Sequence, residues 1–228
     1  MDGRCRACVR ITFAWFRSEG IDLAATAGSP GSARVDEPLA ASRRTPRIAA
    51  VDDDALRLAP GERRSALELS EGTPLLVHRG AVIVARAAVA GRRIVLGVLG
   101  RECVIRPPRP DEEIIALTSA VVAPVEPSPD QLLEALRDRE ESLAILAFPR
   151  HTDRVRAKLI QLARMHGRVT GGGVVIPLPL THELIADMTA SARETVTWAL
   201  RELVEEGFVT RTGRQYVVRM APEEVAEL

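Results

Sequence analysis

The stretch Leu178-Pro179-Leu180-Thr181-His182-Glu183-Leu184-Ile185-Ala186-Asp187-Met188, continued by Thr189-Ala190-Ser191-Ala192-Arg193-Glu194-Thr195-Val196-Thr197-Trp198-Ala199-Leu200, constrains the fold more than any other part of the chain. It reads as two short helices joined by a tight turn. Thr181 is placed to cap the first helix, and Glu183 sits in its first turn, where a negative charge is favoured. Leu184, Ile185 and Met188 supply its apolar stripe. Thr189-Ala190 breaks the pattern. Ser191 is expected to start the second helix, with Glu194 three residues on at the spacing of a capping box. Val196, Leu200 and Leu203 fall at helical spacing, with Ala199 beside them, and should face the core.

Arg193, Thr197 and Arg201 lie on another face of that helix, flanked by Glu194 and Trp198. A forked guanidinium matches guanine O6 and N7, and a carboxylate matches the cytosine amino group. Glu194 can either meet a base or close the capping box, and both remain open. Gly207 to Arg219 holds two short β-prone runs around Thr212-Gly213-Arg214, which predicts a hairpin with Arg211 and Arg214 near its tip. Helix, turn, helix and hairpin together make a winged helix, whose tip arginines suit phosphates. The competing account is a pair of ordinary amphipathic helices with solvated charges.

This segment resembles the winged-helix domain of the cyclic-AMP receptor/fumarate-nitrate regulator (Crp/Fnr) family of bacterial transcription factors. The matching residues are Arg154-Val155, Leu159 to Ala163, Gly167, Gly171 to Gly173, Ile176, Leu178 to His182, Leu184, Ala186, Arg193 to Val196, Ala199-Leu200, Leu203 and Gly207. The resemblance implies that Arg193 and Glu194 read base edges, and that Thr195 and Arg201 approach phosphates. Trp198 departs from the family, many members of which have another base-reading arginine there; an indole cannot make a bidentate contact to guanine. The expected DNA-binding set is Thr181, His182, Ser191, Arg193, Glu194, Thr195, Thr197, Trp198, Arg201, Arg211 and Arg214. Implied partners are double-stranded DNA carrying an inverted-repeat operator, a second copy of the chain, and RNA polymerase.

The 228 residues allow one or two cored domains, and 46% hydrophobic content excludes a wholly disordered protein. No apolar run approaches membrane-spanning length. Net charge is zero, but residues 150–220 hold eleven Lys/Arg against seven Asp/Glu, a bias of the sign phosphate requires. Three cysteines, an odd number, argue against a disulfide scaffold and fit a reducing cytoplasm. Cys5 and Cys8 form a bare C-x-x-C. With Cys103 they supply only three thiolates, one short of the usual iron–sulfur set, so no cofactor or metal is expected. His78, His151, His166 and His182 show no metal spacing and no nucleophile motif is present, so an enzyme is not expected.

Residues 1–45, rich in Ala, Gly, Ser and Arg, are expected to form a poorly ordered tail. Residues 46–129 are expected to form a β-roll, from short β-prone runs at Leu67 and Leu69, Leu75 to Val77, Val82 to Val84 and Ile94 to Val98. Val77 to Val82 and Gly91 to Leu96 resemble strands of the cyclic-nucleotide-binding roll. The phosphate-holding turn of that roll is replaced by Arg101-Glu102-Cys103-Val104-Ile105-Arg106-Pro107-Pro108-Arg109-Pro110-Asp111-Glu112-Glu113. The prolines prevent a helix, the acidic trio would repel a phosphate, and a Pro-rich loop with exposed charges is expected. The roll therefore reads as degenerate.

A helix is predicted over 130–148, with Leu133, Leu136, Leu143 and Ala147 at a and d spacing. The resemblance implies that it pairs two subunits; the alternative is that Leu132, Leu136 and Ile145 pack on the chain's own roll. The expected class is α+β: a degenerate β-roll, a connecting dimerisation helix, and a winged helix over 149–222. The function it points to is sequence-specific DNA-binding regulation without response to cyclic nucleotides. The alternatives are a protein-interaction module and a redox or metal sensor on the same scaffold.

Overall fold

The computed structural model describes residues 55–65, 68–69, 72–87, 93–213 and 215–219. The expected tail, Cys5, Cys8, Leu67 and Arg214 lie outside these residues. The first half is two facing antiparallel sheets. One has the order β1-β8-β3-β6, from Leu56–Leu58 (β1), Leu75–Arg79 (β3), Val104–Ile105 (β6) and Ala120–Pro124 (β8). The other has the order β2-β7-β4-β5, from Arg63–Ser65 (β2), Val82–Ala87 (β4), Arg93–Leu99 (β5) and Glu112–Ala116 (β7). Leu69 is buried without belonging to a strand.

The run Val82-Ile83-Val84 is apolar at every position because β4 is covered on both faces. Val82 and Val84 point into the core between the sheets, with Leu58, Val77, Ile114 and Val122. Ala81, Ile83 and Ala85 point the other way, into a second core shared with the C-terminal half. That second core holds Val95, Val98 and Ile115 from the roll together with Ile185, Leu200 and Val209. At the β3–β4 turn, Gly80 has φ of +79°, and a Cβ there would lie 2.2 Å from the Ser119 carbonyl oxygen. A side chain is excluded on both counts.

The segment after β5 corrects the expectation of a loop with exposed charges. It forms β6, a proline loop without a helix, and then β7, whose first residue Glu112 is 2% exposed. Arg86 Nη2 donates to Glu112 Oε1 at 3.0 Å, Arg106 Nη2 donates to the same oxygen, and the Arg109 backbone N–H donates to Oε2 at 2.9 Å. The acidic trio therefore does not stand together in solvent. Its middle member is the internal partner of two arginines.

Helix α1 runs from Pro129 to Leu146. Ser128 Oγ accepts from the Gln131 N–H, Gln131 Oε1 accepts from the Ser128 N–H at 2.9 Å, and Pro129 occupies the first turn. Of the three residues that could have packed on the roll, only Ile145 is buried; Leu132, Leu133, Leu136 and Leu143 are exposed. Helix α2, His151–His166, crosses it and joins the shared core through Val155, Leu159, Leu162 and Ala163. Arg164 pairs with Glu141 across the crossing.

Candidate nucleic-acid interface

Helix α3 spans His182–Thr189 and helix α4 spans Arg193–Glu205. Thr181 caps α3 as expected: its Oγ1 accepts from the Leu184 N–H at 3.1 Å. Ala190, left-handed at φ 49° and ψ 42°, makes the turn. The stripe Val196, Ala199, Leu200 and Leu203 is buried, as its spacing predicts. Helix α4 ends on Gly207 at φ +73°, with the Gly207 N–H bonded to the Val204 carbonyl and the Phe208 N–H to that of Leu203. This is the closing pattern that favours glycine past a helix end.

The start of α4 differs from the expected capping box. Ala192, not Ser191, is the N-cap, and no side chain caps the helix. Ser191 is 2% exposed. Its hydroxyl donates to the Thr189 carbonyl at 3.2 Å, and its Oγ lies 2.9 Å from Nδ1 of His151, at the start of α2. The serine fixes the turn against α2 instead of facing outward. Glu194 is exposed in the first turn of α4, freed of the capping role.

Arg193, Glu194, Trp198 and Arg201 are exposed on one side of α4, and Thr195 and Thr197 are half-buried beside them. Trp198 is 69% exposed, and the Arg201 guanidinium lies 5.3 Å from its ring centre. Thr197 Oγ1 donates to the Arg193 carbonyl at 3.0 Å and meets Nδ1 of His182 at 2.8 Å. The His182 ring is held below its ordinary value by burial and by the positive charges of Arg211 and Arg193.

The expected hairpin is present as β11, Val209–Thr212, and β12, Gln215–Val218. Arg211 near its tip is exposed; its Nε donates to the Gly213 carbonyl at 3.1 Å, and its guanidinium lies 5.9 Å from the Tyr216 ring centre. The sheet is wider than the sequence suggested. Arg168–Thr170 (β9) and Gly173–Ile176 (β10) extend it in the order β11-β12-β10-β9. Sequence reading also missed Arg93. Its Nε and Nη2 reach Asp187 Oδ2 at 2.8 and 2.7 Å, tying α3 to the roll. Nothing local marks that pair, since its members stand 94 residues apart.

This geometry coincides with a family model: residues 153–227 match the Crp-like helix-turn-helix domain. The C-terminal segment belongs to that family. The Crp-like segment is 33% identical over 87 residues to the CRP-like cAMP-activated global transcriptional regulator of Mycobacterium tuberculosis, covering 38% of this chain and 39% of that protein. The regulatory protein CysR of Synechococcus elongatus is 32% identical over 103 residues, covering 44% of this chain and 50% of that protein. The chain thus spans at most half the length of these curated relatives. The Crp/Fnr fold extends beyond the Crp-like segment. A CRP-family transcriptional regulator of Thermus thermophilus superimposes with a TM-score of 0.60 at 23% identity, over 75% of this chain and 95% of that one. FixK2 of Bradyrhizobium japonicum gives 0.61 at 21%, over 75% and 95%. No helix of the described residues is long and apolar enough to cross a membrane.

Proposed function

We propose that this chain is a transcription regulator that binds double-stranded DNA as a homodimer and does not respond to cyclic nucleotides. The observation that carries this reading is the outward face of α4. Arg193, Glu194 and Arg201 are exposed on a helix whose other face is sealed in the core, and Arg211 stands beside them on the wing. Arg193 and Glu194 are assigned to base edges, Thr195 and Arg201 to phosphates, and Arg211 with Arg214 to the flanking backbone. Thr181, His182 and Thr197 shape the approach to that surface. Ser191 is assigned a supporting role from within.

Two features of the first half support the rest of the reading. The exposed leucines of α1 offer an apolar face to a second copy, which would set two α4 helices about one turn of DNA apart on an inverted repeat. In the proline loop the guanidinium of Arg106 is engaged by Glu112, which the Arg109 backbone N–H also meets, so Arg106 does not await a cyclic phosphate. A sensor of oxidants through Cys103 is disfavoured, because burial pushes its thiol up to about 11, away from the reactive thiolate. The family consists of transcription regulators, so no catalytic role is assigned, and regulation of DNA implies a cytoplasmic protein.

Selection of bound duplexes from random DNA tests the reading. A recovered inverted repeat supports it. Recovery of no preferred sequence would favour an interaction module, for which the exposed Trp198 is a fitting anchor. Calorimetric titration with cyclic AMP and cyclic GMP is expected to give no saturable heat, and micromolar binding coupled to DNA affinity would overturn that part.

A further inference from the structure

Between the start of α3, the start of α4 and the wing lies a groove of about 610 Å³, lined by Pro179, Leu180, Thr181, His182, Glu183, Arg193 and Arg211. Each wall has one cationic or titratable group facing His182: Arg193 from α4 and Arg211 from β11, with Glu183 the one acid, on α3 itself. The Thr181 hydroxyl is committed to its cap. The protons in this cluster can be assigned. A threonine hydroxyl has a single proton, and that of Thr197 goes to the Arg193 carbonyl at 3.0 Å. With that proton so placed, the 2.8 Å contact from His182 is a donation from Nδ1–H into Thr197 Oγ1. In the neutral ring Nε2 is then a bare acceptor.

We propose that His182 makes DNA binding proton-linked: a backbone phosphate seated between Arg193 and Arg211 favours the ring that carries a proton on Nε2 as well as on Nδ1. The inference rests on the DNA-binding reading above. A phosphate oxygen only accepts hydrogen bonds, so it is repelled by the Nε2 lone pair and attracted by an Nε2–H. Moving the single ring proton from Nδ1 to Nε2 would keep the contact to Thr197 only by swinging the threonine hydroxyl off the Arg193 carbonyl, a bond that steadies the helix turn carrying Arg193. Protonation keeps that bond and supplies the second donor.

The sign follows from linkage. In the free protein burial, Arg211 and Arg193 hold the ring below its ordinary value, so it is neutral at physiological pH. A phosphate in the groove opposes those two charges and raises the ring's value. The bound state then carries more protons than the free state, and affinity rises as pH falls through the interval between the two values. An arginine at this position would bind phosphate at every pH; histidine grades the contact.

The test uses the full chain and a duplex selected by the wild-type protein, with anisotropy measured from pH 8 to pH 6 at one ionic strength. Wild-type affinity should rise several-fold, up to about tenfold per subunit for each unit by which DNA raises the ring. His182→Gln should lose most of that slope. His182→Arg should bind tightly with a flat profile. The nuclear magnetic resonance titration of the His182 ring should move to higher pH on adding the duplex. Subtracting the His182→Gln profile removes the contributions of His78, His151 and His166. Equal slopes for wild type and His182→Gln, or a ring midpoint unmoved by DNA, would overturn the proposal while leaving DNA binding intact. Failure of the wild type to bind any duplex at any pH would overturn both.

Discussion

In the roll, Arg86 and Arg106 converge on a carboxylate with no solvent-exposed surface. In the winged helix, Arg193 and Arg211 border a groove whose single acid, Glu183, is exposed and unpaired with either. The residue type is the same, and its use is set by where the nearest carboxylate lies. A guanidinium that shares a buried pocket with Glu112 is neutralised inside the chain, and its hydrogen bonds are spent on holding β7 to β4. A guanidinium left at a groove keeps its terminal Nη donors for an anion from outside. Counting arginines in either half would not distinguish the two roles; the register of the strands does.

The broadest way to sharpen this contrast is to remove the second copy that the proposed dimer would bring to the winged half and that the roll would not need. Leu136→Asp together with Leu143→Asp would bury like charges against their symmetry mates in an α1 pair. The double variant should sediment as a monomer and bind the selected palindrome roughly 10²–10⁴-fold more weakly, since both half-sites can no longer be engaged together. Its thermal unfolding should be nearly that of the wild-type roll. A wild type that is already monomeric at micromolar concentration would break the contrast at this point.

Glu112→Ala acts on the other half. Removing one partner of a buried charge cluster should cost about 3–5 kcal/mol in denaturant unfolding. The pH dependence has a definite sign. Burial alone would raise the Glu112 carboxyl, but hydrogen bonds from Arg106, the Arg109 backbone and Arg86 bring it down to about 2 from 4.5. Its stabilisation is complete above the unfolded value and is lost as pH falls from there toward 2. Glu112→Gln should lack that component in an acid titration followed by circular dichroism.

Arg193→Ala should leave unfolding untouched and cost about 1–3 kcal/mol on the best duplex, with relaxed preference at one base pair. Equal losses on specific and random DNA would count against base reading. The smallest effect is expected for Arg201→Ala. It should weaken both DNAs alike by about 1 kcal/mol or less and reduce the slope of log affinity against log salt by about 1.

What could be read from the sequence follows the range of the forces involved. The apolar stripe of α4, the Thr181 cap, the limits of α1 to within about two residues and the wing hairpin are set by neighbours within a few positions, and each was legible. Ser191 was misread because S-x-x-E has the correct local spacing, yet its hydroxyl was taken by His151, 40 residues away. Glu112 was misread for the same reason. Proline density marks a loop, and its partner Arg86 stands 26 residues earlier on another strand. Strands β7 and β8 are short and bounded by proline or serine, so their apolar residues gave too little periodic signal. The exposed polar face of α4 was legible as a face; its arrangement with His182 and Arg211 required the tertiary fold.

The stack of Trp198 on Arg201 has an optical consequence. The chain contains two tryptophans, Trp15 and Trp198. Replacing Trp15 with phenylalanine would leave a single indole emitter, standing on the helix face assigned to DNA and open to solvent. An indole in water emits at long wavelength, and one covered by a duplex or stacked on a base is shifted or quenched. Helix α4 would therefore carry a native fluorophore whose colour and intensity would track the occupancy of the face assigned to DNA, without an attached dye.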